Sequence, residues 1–244
     1  MKGVILAGGD ATRLRPLTLV TNKHLLPVYN KPLIYYGIET LVNAGIDRIM
    51  VVTSPRHVEN FVGLLGSGQH FISKRDGKQI QIVYGIQNGP SGIADGLYIA
   101  KDYIGSESCA LYLGDNIFED DLRVPISDFK RGAMVFLKEV TDPKRFGVAN
   151  VDAKGNVLGI EEKPKEPKSN LAVTGLYLYD HSVFEKMIGQ PMSERGEYEI
   201  TYLNNKYIEE GTLRSVRLRK EWFDAGTTDS LLEAGNFMRN KKQA

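Results

Sequence analysis

The sequence predicts an α/β fold: a Rossmann-like, mostly parallel sheet flanked by helices, followed by an antiparallel extension. Three observations predict it. Short apolar runs alternate with segments of helical period through the first half, the pattern of right-handed βαβ units. The first of those runs closes on Gly8-Gly9, as a buried strand feeding a turn does. After Asp121 the rhythm changes to strands separated by Pro, Gly and charged turns.

The elements follow in order. Gly3–Ala7 is the first strand. Pro32 opens a helix with Leu33, Ile34, Ile38, Leu41 and Val42 on one face, and Gly45 stops it. Arg48–Thr53 is the next strand, with a helix after it from about Arg56 to Leu65. Lys78–Gly85 reads as a strand, Ile93–Tyr103 as a helix and Cys109–Leu113 as another buried strand. In the second half Ala133–Val140, Gly147–Val151, Val157–Glu162 and Val173–Tyr179 read as antiparallel strands. A helix over Tyr198–Glu210, strands at Leu213–Arg219 and Glu221–Asp224, and a helix from about Asp229 to Arg239 come last.

Composition narrows the function classes. The 244 residues are 42% apolar and 25% charged, ordinary for a soluble globular chain. A net charge of +1 provides no global field toward nucleic acid or a membrane surface. The single cysteine, Cys109, sits in an apolar strand, so it reads as core and gives neither a disulfide framework nor a zinc cluster. The N-terminal apolar run is too short for a signal peptide or a membrane span, which leads us to expect a cytoplasmic enzyme. Locally the charge is uneven: residues 1–31 hold Lys2, Arg13, Arg15, Lys23 and Lys31 against Asp10 alone. Beside the glycines, that excess suits a multiply charged anion better than a solvated loop.

Five segments carry chemistry. Gly8-Gly9-Asp10-Ala11-Thr12-Arg13 follows the first strand, where glycines let backbone N–H groups approach phosphate oxygens. It is neither a Walker A loop nor the spaced glycines of a dinucleotide fold, which disfavours an NAD-dependent oxidoreductase. Lys23 adds a point charge on a backbone constrained by the run to Pro27. Asp115 in Leu113-Gly114-Asp115-Asn116 stands at the carboxyl end of a buried strand, where ligands bind in open α/β sheets. Asp224 in Trp222-Phe223-Asp224-Ala225-Gly226 follows an apolar pair. With phosphate oxygens, the two aspartates would suit Mg²⁺. Taken singly, each has a plain alternative: a strand-to-loop turn, a surface lysine, two capping aspartates. Pro164 should push Lys163 into extended geometry, and Gly175 should permit close approach of a ligand in its strand.

In combination the segments GGDATRLRP, NKHLLPVYNKP, LGDN, RFGVA, EEKPKEPKSNLAVTGLYLYD, RGEYEIT and WFDAGT, in that order from Lys2 to about Glu233, resemble the nucleoside-diphosphate-sugar pyrophosphorylases. The resemblance implies the nucleotide-diphospho-sugar transferase fold, as a single domain over residues 1–244 with a nucleotide-binding core (1–121) and a sugar-phosphate-binding part (122–244). It implies Mg²⁺-assisted in-line transfer from dTTP to glucose 1-phosphate, giving dTDP-glucose and pyrophosphate for deoxysugars such as rhamnose. UTP in place of dTTP is the nearest alternative. A non-catalytic nucleotide-sugar sensor is a different class, against which Lys23 and both aspartates speak. By the same resemblance Leu6, Gly8, Gly9, Thr12 and Arg13 would hold the nucleotide, with Arg13 and Lys23 catalytic and Gln87 and Gly92 facing the base. Asp115 and Asp224 would bind Mg²⁺; Gly147, Glu162, Lys163, Gly175 and Arg195 would line the sugar-phosphate pocket. A glutamine amide could meet thymine or uracil with both its carbonyl and its N–H.

Ala11 stands where the family usually has glycine, Asp95 where it has glutamine and Tyr202 where it has an acid. A left-handed backbone at Ala11 would cost about 1–2 kcal/mol, and Asp10 should point away from the triphosphate. Further expectations are a homo-oligomer, dimer or tetramer, with no nucleic-acid or membrane partner. Longer relatives carry an added C-terminal helical segment for a second nucleotide-sugar site, so feedback by dTDP-rhamnose should be weak here.

Overall fold

A computed structural model describes residues 1–243. Its first strand, β1 (Lys2–Leu6), lies at the middle of a nine-stranded sheet. A glycine loop and a two-residue hairpin, β2 (Pro27–Val28) and β3 (Lys31–Pro32), lead to α1 (Leu33–Asn43). The chain continues through β4 (Arg48–Thr53), α2 (Val58–Leu65), β5 (Gln81–Ile86), α3 (Ile93–Ile99), α4 (Lys101–Ile104) and β6 (Cys109–Leu113). β1 pairs parallel with β4 and β6, and β4 parallel with β5. The single helix expected over Ile93–Tyr103 divides at Ala100, whose N–H bonds to the Leu97 carbonyl three residues back.

The second half adds β7 (Asn116–Phe118), α5 (Arg123–Ser127), β8 (Ala133–Glu139), β9 (Gly147–Val151), β10 (Val157–Glu162) and β11 (Leu171–Tyr179). Then come α6 (Val183–Lys186), α7 (Ile200–Glu209), β12 (Leu213–Arg217), β13 (Trp222–Asp224) and α8 (Thr228–Gln243). The sheet order is β10-β9-β11-β6-β1-β4-β5, with β8 beside β11 and β12 beside β8. β11 is antiparallel to β6, β8 and β9, as expected of the extension. β12 departs from the expectation, because it pairs parallel with β8. β11 ends and β12 begins at the Ala133 end of β8, so α6 and α7 return the chain to the same end of the sheet, where β12 joins the other side of β8 in parallel register.

Alternate residues of the central strands feed two cores. Ile5, Val51, Ala110 and Tyr112 point to one face, and Val4, Val52, Cys109 and Leu111 to the other. Burial on both faces explains why these strands read as continuous apolar runs. A third apolar cluster joins Val28, Leu33, Tyr36, Ile117, Phe223, Ala225 and Ala234. It seats α8 against the two-stranded sheet of β7 and β13, and this small sheet positions the candidate site. Among the described residues no helix is long and apolar enough to cross a membrane.

Candidate active site

The glycine loop leaves β1 at the carboxyl end of the parallel sheet. Leu6 ends the strand, its carbonyl accepting from Gly114 N at 2.9 Å, so the two strand ends β1 and β6 are tied together. Gly9 has φ +87°, and Ala11 has φ +44° and ψ +46°, the left-handed backbone considered above. The Ala11 carbonyl is fixed by Thr18 Oγ1 at 2.9 Å and by Leu14 N at 3.0 Å, so the strain is held by its surroundings. Thr12 and Arg13 begin the short 3₁₀ turn that follows, and both are exposed, as is Asp10.

Lys23 lies in a second 3₁₀ turn, capped by Asn22. The Asn22 amide donates to the Ala7 carbonyl at 3.0 Å, which turns its oxygen toward His24. That oxygen accepts from the His24 backbone N–H at 2.9 Å and lies 2.6 Å from Nδ1, so Nδ1 carries the ring proton. Burial, with the Lys23 charge beside it, pushes the His24 pKa down to about 3 and keeps the ring neutral. Lys23 Nζ is thereby directed onto Asp115 Oδ2, forming an ion pair in which the side chains are 16% and 12% exposed.

The β7–β13 pair brings the two aspartates together. Asp224 lies opposite Asn116 in antiparallel register, and Ala225 N donates to the Asp115 carbonyl at 2.9 Å. Burial pushes the Asp115 carboxyl up, but the Lys23 charge leads the opposing influences and holds it well below the usual carboxylate range. Asp224 goes the other way: burial and the charge of Asp115 push it up against Lys23, Arg13 and Arg145. Arg145 Nη2 is 3.5 Å from Asp224 Oδ2. A Cβ at Gly226 would stand 3.0 Å from Arg13 Nη2 and 3.1 Å from Asp224 Oδ1, so that glycine makes room for both.

Asn116 orients the pair. Its Nδ2 donates to Asp115 Oδ1 at 2.9 Å, while its Oδ1 accepts from Gly175 N at 2.9 Å and Trp222 Nε1 at 2.7 Å. A Cβ at Gly175 would come within 2.5 Å of that amide. The Gly175 position thus admits the close approach of the Asn116 amide. Trp222 also packs edge-on against Phe146, with ring centroids 5.2 Å apart.

At the other end of the cleft, Gln87 N donates to the Thr53 carbonyl at 2.8 Å, just past β5. Its Nε2 donates to the Gly92 carbonyl at 3.2 Å and to Asp95 Oδ2 at 2.9 Å. Its Oε1 would be 3.2 Å from a Cβ at Gly8. Both amide hydrogens are thus engaged within the protein. Gly92, at φ +103°, packs on the backbone of Tyr198, where a Cβ would meet the carbonyl oxygen at 2.5 Å.

The remaining residues cluster where β9 and β10 pair, Gly147 opposite Glu162. Glu162 Oε2 accepts from Thr201 Oγ1 at 2.6 Å, and a Cβ at Gly147 would sit 3.4 Å from both oxygens. Arg195 forks onto Glu199 at 2.8 and 2.9 Å and lies 3.4 Å from Glu162 Oε1. Lys163 is exposed, 3.9 Å from Glu162 Oε1. Its backbone corrects the sequence expectation: φ is +43°, left-handed rather than extended. The Lys163 N–H bonds to the Phe146 carbonyl at 3.0 Å as the strand pair closes, and this tertiary bond overrides the preference before Pro164. Arg145, Asn116, Thr201 and Glu199 were not singled out from sequence. Nothing in their local patterns marks them, although all four lie inside segments that carried the resemblance.

The profile of the family described as Nucleotidyl transferase matches residues 2–241. The chain is 44% identical to the glucose-1-phosphate thymidylyltransferase of Mycolicibacterium smegmatis, over 98% of this chain and 82% of that one. It is likewise 44% identical to the glucose-1-phosphate thymidylyltransferase of Neisseria gonorrhoeae, over 98% and 83% of the two chains. A crystal structure from Bacillus anthracis, in complex with a sucrose, superimposes with a TM-score of 0.91 at 45% identity, covering 98% of this chain and 96% of that one. The glycine loop, Lys23 and both aspartates all fall inside the matched region, and the chain belongs to the nucleotidyl transferase family.

Proposed function

We propose that this chain catalyses the reaction of dTTP with glucose 1-phosphate to give dTDP-glucose and pyrophosphate. The observation that carries the reading is the convergence of Lys23, Asp115 and Asp224 at the strand ends beside the glycine loop. Full-length relatives of that activity at 44% identity supply the substrate pair. A phosphate oxygen of the sugar phosphate attacks the α-phosphorus in line. The bond from that phosphorus to the bridging oxygen breaks, and pyrophosphate leaves with the electron pair. No covalent intermediate on the protein is required, so catalysis rests on positioning and charge.

The acidic pair suits a divalent cation. Burial, and after it the charge of Asp115, raises Asp224, and a dication would relieve the repulsion between the two carboxylates. Among the described residues no group of three or more His, Cys, Asp or Glu side chains could hold a metal, so phosphate oxygens and water would complete the coordination. That oxygen-rich set fits Mg²⁺, which would neutralise charge on the triphosphate. Backbone N–H groups of Gly8, Gly9 and the turn at Thr12 hold the phosphates, with Arg13 above Gly226. Lys23 stabilises the charge that develops at the α-phosphorus. Gln87 Oε1 accepts from N3–H of thymine or uracil, which cytosine lacks. Gly147, Glu162 and Lys163 receive the sugar phosphate, Glu162 on hydroxyls and Lys163 on phosphate, with Arg195 beside them. Phosphorus NMR of the protein with dTTP, glucose 1-phosphate and Mg²⁺ should show dTDP-glucose appearing, and none with EDTA. Conversion unaffected by EDTA would remove the metal from the reading.

A further inference from the structure

Gln87 has one amide and two possible faces, and the chemistry around it decides between them. The Gly92 carbonyl and the Asp95 carboxylate can only accept hydrogen bonds. Both lie on the Nε2 side, at 3.2 and 2.9 Å. Rotating the amide would set Oε1 against two acceptors. Oε1 is therefore turned away from both acceptors, 3.2 Å from a Cβ at Gly8 and 3.5 Å from one at Gly96. Glutamine, which the resemblance expects at position 95, could donate as well as accept and would not impose that choice. Asp95 belongs to the first turn of α3, where an acid also favours the helix dipole, so its carboxylate has a purely structural alternative.

We propose that Asp95 is a positioning residue that locks the Gln87 amide with its carbonyl toward the base, and so sets preference for bases carrying N3–H. The proposal rests on the assignment of Gln87 to the base. It makes Asp95 a determinant of pyrimidine choice acting through Gln87 without touching the nucleotide.

The test is the ratio of kcat/KM for dTTP over CTP, measured with Mg²⁺ and glucose 1-phosphate for wild type, D95N, D95Q, D95E and Q87A, and for the double variant of D95N with Q87A. Circular dichroism melts confirm that each is folded. D95N and D95Q should lower the ratio by about tenfold, because only the Gly92 carbonyl then opposes turning of the amide, whereas D95E should keep it. In the Q87A background, D95N should change the ratio by less than about twofold, the signature of coupling between the two side chains. A merely helix-stabilising acid would lower both substrates in parallel and leave the ratio alone. If Q87A flattens the ratio while D95N leaves it at the wild-type value, the inference about Asp95 is wrong and the base assignment stands. If Q87A itself leaves the ratio unchanged, both fall.

Discussion

Replacing Asp224 by Asn separates a strained metal ligand from a residue that serves only the fold. Asp224 is buried beside Asp115, and both influences raise it above the ordinary value of 3.8. A carboxyl raised on folding penalises the folded state; the penalty is absent below the unfolded value and grows as pH rises above it. Like charges at ~5–6 Å, the reach of neighbouring positions on paired strands, repel by about 3 kcal/mol at an effective dielectric of 20. Lys23, Arg13 and Arg145 offset part of this, leaving about 1–2 kcal/mol. D224N should therefore be more stable than wild type by about 1–2 kcal/mol in EDTA at pH 7.5, with the difference vanishing near pH 4. Added Mg²⁺ should reverse the order, because a ligand at a hundred times its Kd stabilises wild type by about 2.7 kcal/mol and has lost a ligand group in the variant. Urea denaturation at both pH values, with and without Mg²⁺, measures all four quantities. A variant less stable than wild type in EDTA at pH 7.5 would show that Asp224 serves the fold, and the metal assignment would go with it.

K23A should lower kcat by about 10²–10³ with a smaller effect on substrate KM, since it removes one preorganised donor; near-normal turnover in steady-state assays would take Lys23 out of the mechanism. Ala11→Gly should relieve the left-handed strain of about 1–2 kcal/mol less ~0.4–1 of added unfolded-state entropy, raising Tm by about 1–3 °C in calorimetry. His24 titrates at about 3 folded against 6.5 unfolded, so stability is complete above pH 6.5 and falls below it. Between pH 7 and 5 the loss should be about 2 kcal/mol. H24Q should lack that loss in parallel urea titrations, and an identical pH profile would mean that the ring is not held neutral.

Much of the scaffold was legible because local and tertiary preferences agree. Arg48–Thr53, Cys109–Leu113, Gly147–Val151 and Val157–Glu162 are strands at the boundaries read from the apolar runs and their breakers. β2, β3 and β7 are two or three residues long, too short for any period to show. Yet β7 is what sets Asp224 against Asp115, so the motifs were visible while the device that joins them was not. Lys163 was misread because the hydrogen bond that its N–H donates to the Phe146 carbonyl, distant in sequence, outweighs a rule about its immediate neighbour. Asn116 packs against Gly175, a contact between distant positions that no one-dimensional pattern could place. The backbone at Ala11 is left-handed, the conformation that favours glycine, and the alanine carries the strain.

The most direct test of nucleotidyl transfer is pyrophosphate release over a grid of dTTP, UTP, CTP, ATP and GTP against several sugar 1-phosphates, with Mg²⁺ present throughout. Release should depend on both substrates, and dTTP or UTP with glucose 1-phosphate should give the highest kcat/KM. A preference for ATP or GTP would overturn the role of Gln87 while leaving the reaction standing. A folded protein that binds dTDP-glucose yet releases pyrophosphate with no pair in the grid would contradict the reaction itself and make this chain a nucleotide-sugar sensor.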